Sequence, residues 1–152
     1  LFFGLYYTKS LKKNMLKIKK ELLEKIKSQA EKDYPYETCG IVIGKEEDGI
    51  RVVYELLAVE NANKERKNDR YEINPKDYMK AERYADEKGL QIVGIYHSHP
   101  DHPDMASKTD EERAFEYLSY IIVSVQKGKA VSFRSFELLD KKMVEEKVIV
   151  ET

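Results

Sequence analysis

The run Gln91-Ile92-Val93-Gly94-Ile95-Tyr96 is apolar and rich in β-branched residues, and it passes without a break into His97-Ser98-His99-Pro100-Asp101-His102-Pro103. The first six residues read as a buried strand, and Pro100, lacking an N–H, cannot extend the ladder beyond it. His97 and His99 therefore sit at the strand's exit. Side chains two apart on a strand point the same way, so the two imidazoles can converge on one ion. All 3 histidines of the 152-residue chain fall within this one stretch, which makes it the candidate site.

Zinc takes about four ligands, so a third protein group is needed and one position can be left for water. Asp110 is the candidate. The segment Ser107 to Phe115 reads as a helix start, with small polar residues ahead of acidic ones, and a first-turn residue can face back toward the strand end. Each element also has a plain structural reading. Ser107-x-x-Asp110 fits a capping box, Thr109 could be the N-cap with acidic residues answering the helix dipole, and a His-x-His pair can be purely structural.

Taken jointly, His97-x-His99-x(7)-Ser107-x-x-Asp110 resembles the signature of the JAMM (MPN-plus, Mov34/JAB) zinc metalloproteases. That family also needs an upstream glutamate on or just before an early strand. Tyr34-Pro35-Tyr36-Glu37-Thr38-Cys39-Gly40-Ile41-Val42-Ile43-Gly44 is similar to the prokaryotic form of that element and makes Glu37 the candidate. The resemblance covers about residues 15–152. It implies an α/β fold, a mixed curled β-sheet flanked by helices with a cytidine-deaminase-like core. A zinc deaminase itself would need His-x-Glu and Pro-Cys-x-x-Cys, and both are missing from the sequence.

The resemblance further implies one Zn²⁺ held by His97, His99 and Asp110, with Glu37 moving the proton and Ser107 donating to the oxyanion. A proline on each side of the Asp101-His102 pair argues for a rigid loop, and the family does not use this position for metal, so His102 is expected at the rim, where it touches substrate. Family members cut an amide or isopeptide bond after the C-terminal glycine of ubiquitin-fold proteins. Between Asp110 and the strand near Tyr120 there is no room for the insertion that binds a second ubiquitin in deubiquitinases. The chain is thus more similar to the compact bacterial and archaeal branch of Mec-type sulfur-carrier peptidases, with a Gly-Gly tail bound by β-addition. Two alternatives stay open: a deubiquitinase-like isopeptidase acting on ubiquitin-like conjugates, and a non-catalytic zinc-binding MPN interaction module.

The remaining elements place these motifs. Lys19 to Asp33 carries Leu22, Leu23, Ile26 and Ala30 on one stripe and reads as an amphipathic helix ended by Tyr34-Pro35. Strands are expected at Cys39 to Gly44 and Arg51 to Val59 about a turn at Glu47-Asp48-Gly49, and a short one at Tyr71 to Ile73. Glu60 to Arg70 is fully polar and is expected to be a mobile, solvated loop. Pro75 to Lys88 reads as a helix opened by Asn74 and closed by Gly89. Further strands are expected at Tyr120 to Val125, Val131 to Leu138 and Lys147 to Val150.

A formal charge of −1 gives no overall pull toward nucleic acid. Cys39 is the only cysteine, so no intrachain disulfide can form and a reducing, cytoplasmic setting is expected. Its thiol is expected to pack beside Gly40 and not to act as a nucleophile, and Ser98, between the two histidines, should point away from them. Residues 1–14 place an aromatic run ahead of lysines and are too short for a membrane span. They are expected to be a poorly ordered leader or appended segment, or else an apolar segment that docks on the domain or a partner. Residues 15–152 form the single domain.

Overall fold

The computed structural model describes residues 14–152, so the expected leader, apart from Asn14, lies outside the described residues. The elements are β1 (Met15–Lys19), α1 (Lys20–Asp33), β2 (Cys39–Glu47), β3 (Ile50–Val59), α2 (Pro75–Glu87), β4 (Gln91–Pro100), α3 (Lys108–Arg113), β5 (Ser119–Gln126), β6 (Lys129–Leu139) and β7 (Lys142–Glu151). The strands join in the order β1-β3-β2-β4-β5-β6-β7, and β7 returns to β1, so the mixed sheet closes into a barrel. Pairings of β1 with β3, β1 with β7 and β4 with β5 are parallel, and the others are antiparallel.

The closing strand, β1, is an element that the sequence reading did not assign. In Met15-Leu16-Lys17-Ile18-Lys19, Leu16 and Ile18 are fully buried and their neighbours are not, the alternation of a half-buried strand. The helix begins at Lys20, one residue later than expected, and has no side-chain cap. Its stripe of Leu22, Leu23, Ile26 and Ala30 packs on Val42, Val93, Tyr96, Ile121, Val123 and Val125. Full burial of one such aliphatic side chain stabilises the fold by about 1.5–3 kcal/mol. Helix α2 buries Ala81 and Ala85 against Ile41 and Ile43. Successive residues of β2 thus face different helices, which is why that strand reads as a continuous apolar run.

Local chemistry sets the ends of α2. The Asn74 side chain accepts from the Lys76 N–H at 2.9 Å, Pro75 opens the helix, and Gly89 follows it at φ 68°. Tyr71 to Ile73 forms no strand. Gly40 lies opposite Tyr96 in the β2–β4 ladder, and a Cβ there would come within 2.1 Å of the Tyr96 ring. That close approach lets the Tyr96 hydroxyl reach Gln29 Oε1 on α1, at 2.6 Å.

Arg51 is buried at 2% exposure with Glu137 Oε1 at 3.7 Å and Glu146 Oε1 at 3.6 Å. Its Nη1 donates to Ser119 Oγ, and Ser135 Oγ donates to Glu146. Burial pushes the Glu146 carboxyl up to about 7 against the opposing pull of Ser119, Ser135 and Arg51, with Glu137 adding repulsion. No helix among the described residues is long and apolar enough to cross a membrane.

Candidate metal centre

Strand β4 carries Ile95, His97 and His99 on one face and Tyr96 and Ser98 on the other, as alternation demands. The consequence is visible at the ring nitrogens. His97 Nε2 and His99 Nε2 lie 3.2 Å apart, His97 Nε2 is 3.3 Å from Asp110 Oδ1, and His99 Nε2 is 3.1 Å from Asp110 Oδ2. Ligand atoms of a tetrahedral zinc with bonds of about 2.0 Å stand about 3.3 Å apart. Two imidazoles and a carboxylate at these separations match one face of such a tetrahedron, and the donor set of two nitrogens and one oxygen suits zinc.

The ligand geometry is held from outside. His99 Nδ1–H donates to the Pro103 carbonyl at 2.8 Å, which fixes the tautomer that leaves Nε2 free for a metal. His97 Nδ1 is buried without a hydrogen-bond partner among the described residues. Its ring is held by stacking on Tyr71, at 4.4 Å between centroids and 23° between planes. Asp110 is held by the first turn of α3. The Ser107 N–H donates to Asp110 Oδ2 at 2.9 Å, and the Asp110 N–H donates to Ser107 Oγ at 3.0 Å. The capping box is therefore formed, and the same Asp110 side chain faces both histidines.

Electrostatics follow from this packing. Burial disfavours charge on Asp110, but the hydrogen bonds from His97 and His99 outweigh it and hold the carboxyl well below the usual range. Burial lowers the pKa of His97, which favours the neutral, ligating form. Burial works the same way at His99, but Asp110 and the Pro103 carbonyl prevail and raise it.

Glu37 is 6% exposed and lines the same cavity as His99, His102, Ser107 and Asp110. Burial pushes its carboxyl up to about 8, with His99 pulling down and Asp110 pushing up. Backbone links locate it. The Thr38 N–H donates to Ser98 Oγ at 2.8 Å, the Ser98 N–H to the Thr38 carbonyl at 3.2 Å, and the Glu37 N–H to the Lys67 carbonyl at 2.6 Å. Ser98 thus turns away from the His97 and His99 rings and fastens the glutamate segment to their strand. His102 is exposed at the rim, and its carbonyl accepts from Ser124 Oγ and Gln126 Nε2. Cys39 is buried, its thiol donates to the Val59 carbonyl, and burial pushes its pKa up to about 12, which leaves it inert.

Two features of the site were not expected from sequence, the Tyr71 stack and the Pro103 carbonyl, and the cavity is also walled by Asp69, Arg70 and Arg113. Asp69 and Arg70 belong to the polar segment expected to be mobile, Tyr71 lies at its edge, and Arg113 comes from α3. That segment is clipped by asparagines. Asn61 Oδ1 accepts from Asn63 N and Glu72 N, Asn61 Nδ2 donates to the Arg70 carbonyl, and Asn63 Oδ1 accepts from Glu65 N and Arg66 N. Asn clusters were the available signal, since Asn side chains satisfy backbone groups in turns.

Residues 19–138 match the family described as prokaryotic homologs of the JAB domain. The chain is 29% identical over 137 residues to a CysO-cysteine peptidase of Mycobacterium tuberculosis, covering 90% of this chain and 91% of the relative. It is 28% identical over 116 residues to a desampylase of Pyrococcus furiosus, covering 76% of each. A crystal structure of a JAB1/MPN domain protein from Archaeoglobus fulgidus superposes with a TM-score of 0.55 at 20% identity, covering 88% of this chain and 98% of the other, and shares the fold.

Proposed function

We propose, from the premise that the chain belongs to the family of prokaryotic JAB-domain homologs, that it is a zinc-dependent peptidase. It hydrolyses the amide bond after the C-terminal glycine of a ubiquitin-fold protein, a sulfur carrier with a Gly-Gly tail. The observation that carries this reading is the convergence of His97, His99 and Asp110 at tetrahedral ligand spacing on a cavity that also contains Glu37 and Ser107. The named activities of the two relatives point to the same class, a peptidase acting on a small protein carrier or modifier.

His97, His99 and Asp110 would hold the ion, which when bound supplies Lewis acidity and lowers the pKa of a water at its open position to about 7. Glu37, whose carboxylate form a cation held beside it would favour over burial, takes the attacking water's proton and passes it to the departing amine. The Ser107 hydroxyl accepts from the Asp110 N–H, so its own O–H stays available to donate to the developing oxyanion. His102, at the rim, contacts the incoming tail.

The test is mass spectrometry of carrier fusions ending Gly-Gly-X after incubation with the zinc-loaded protein. Wild type should release X, and Glu37→Gln should keep its zinc while turnover slows by about two to four orders of magnitude. If Glu37→Gln turns over at the wild-type rate with zinc bound, Glu37 is not the general base and the mechanism fails. Zinc and carrier binding without turnover in wild type would leave a zinc-dependent interaction module instead.

A further inference from the structure

Two guanidinium groups on the cavity wall have no assigned role. Arg70 and Arg113 line the same cavity as Glu37, His99 and Asp110. Arg113 has no carboxylate within ion-pair distance among the described residues, and Arg70 has only Asp69, at the 4.0 Å limit. The neighbouring Asp69 carboxylate is taken up by Arg66 in a two-pronged pair, Nε to Oδ1 at 3.0 Å and Nη2 to Oδ2. Arg70 meets Asp69 Oδ2 only at 4.0 Å, and its one side-chain hydrogen bond goes to the Asp69 carbonyl at 2.9 Å. Arg113 comes from the end of α3 and donates only to the Tyr71 carbonyl, at 3.3 Å. Both cations therefore flank Tyr71, the residue whose ring stacks on His97. The loop bearing Arg70 is hydrogen-bonded to the glutamate segment through Lys67 and Asn61, so Arg70 is not a free surface side chain; it is 28% exposed.

Resting on the peptidase reading above, we infer that Arg70 and Arg113 anchor the α-carboxylate of the residue released. Among carriers ending Gly-X, the pair then selects a free α-carboxylate on X over an amide or a lysine isopeptide. A guanidinium fork matches a carboxylate with paired hydrogen bonds. In a C-terminal residue that carboxylate is separated from the scissile nitrogen by one carbon, so its partner must line the same cavity as His99 and Asp110, as these two do. A lysine joined through its side chain brings no carboxylate there. The cavity volume, about 380 Å³, lies at the low end of small-ligand sites, about 300–1,000 Å³, and suits one residue. In the reaction the Gly–X amide C–N bond breaks, water's hydroxyl ends on the glycine carbonyl carbon, and its proton ends on the free amino acid.

The experiment compares a ubiquitin-fold carrier ending Gly-Gly-Ala as the free acid with the same carrier as the C-terminal amide. It is paired with titration of acetyl-Gly-Gly-Ala and its amide into the zinc-loaded Glu37→Gln chain. The acid should exceed the amide by about ten- to a hundredfold in kcat/KM and in affinity, the usual worth of hydrogen bonds to a charged group. Arg70→Gln and Arg113→Gln should each shrink that ratio, the double variant should bring it near one, and Arg70→Lys should restore part of it. Equal handling of acid and amide by wild type overturns the anchor, and so does a ratio that survives in the double variant. Cleavage without acid preference removes the anchor and leaves the peptidase reading intact. An arginine-dependent acid preference in the titration, with no carrier ever cleaved, removes the peptidase reading and leaves the anchor.

Discussion

Removing the Ser107 hydroxyl should separate two jobs that one oxygen performs. Ser107 Oγ accepts from the Asp110 N–H at 3.0 Å as the N-cap of the six-residue helix α3. A hydroxyl has one donor and two acceptor sites, so this cap leaves the O–H free to face the cavity, which Ser107 lines. Ser107→Ala should therefore cost about 1 kcal/mol of stability from the lost cap, a fall in Tm of about 2–4 °C for a chain of this size. It should cost far more in catalysis. Loss of one oxyanion donor is worth about 2.7–4 kcal/mol, or about 10²- to 10³-fold in kcat. Zinc should remain, because the second arm of the box is the backbone Ser107 N–H to Asp110 Oδ2, which alanine keeps. Ser107→Thr should retain both jobs. Thermal unfolding, metal analysis and kcat on a Gly-Gly-X carrier fusion read the three quantities separately. If Ser107→Ala loses the cap's stability but stays within about threefold of wild-type kcat, far less than a lost donor should cost, the hydroxyl does not contact the oxyanion.

His97→Ala, His99→Ala and Asp110→Ala should each lose the bound zinc, measured by metal analysis of the purified protein. A full equivalent retained in both histidine variants would sink the ligand assignment. In the buried cluster, Glu146 sits at about 7 in the folded chain against an ordinary 4.5. The folded state thus holds a proton the unfolded chain has released, so this group's contribution to stability is complete below about pH 4.5 and is lost as pH rises through 7. The shift corresponds to about 3 kcal/mol. Glu146→Gln should match wild type near pH 5 and exceed it in urea unfolding at pH 8; a variant less stable than wild type at pH 8 would refute this.

Elements built from local signals were legible in the sequence. The apolar stripe of α1, the Asn74 cap of α2 and the alternation that turns His97 and His99 to one face all follow from residues within a few positions of one another. What escaped depends on distant partners. The strand Met15–Lys19 has only two inward residues, Leu16 and Ile18. It exists because β3 and β7 pair with it in parallel from elsewhere in the chain, and nothing within its five residues announces either neighbour. The hydrogen bonds within the polar stretch after Glu60 were not legible for a related reason. They run from asparagine side chains to backbone groups in turns, and charge-rich composition looks the same whether or not those bonds form.

The two readings of Ser107-x-x-Asp110, the helix cap that is formed and the proposed metal ligand, are compatible. An ionised carboxylate offers about four lone-pair sites. Asp110 spends one on the Ser107 N–H and turns Oδ1 and Oδ2 toward His97 and His99. Without the cap the carboxylate would be free to rotate, and holding it in one rotamer would cost the site conformational entropy. The cap supplies that restraint in advance. A capping motif in sequence is thus no argument against a metal ligand at its third position. What favours the ligand reading is an independent strand delivering imidazoles to the same point, and β4 brings them there through the register that sets His97 opposite Cys39 and Ile122, and His99 opposite Ser124.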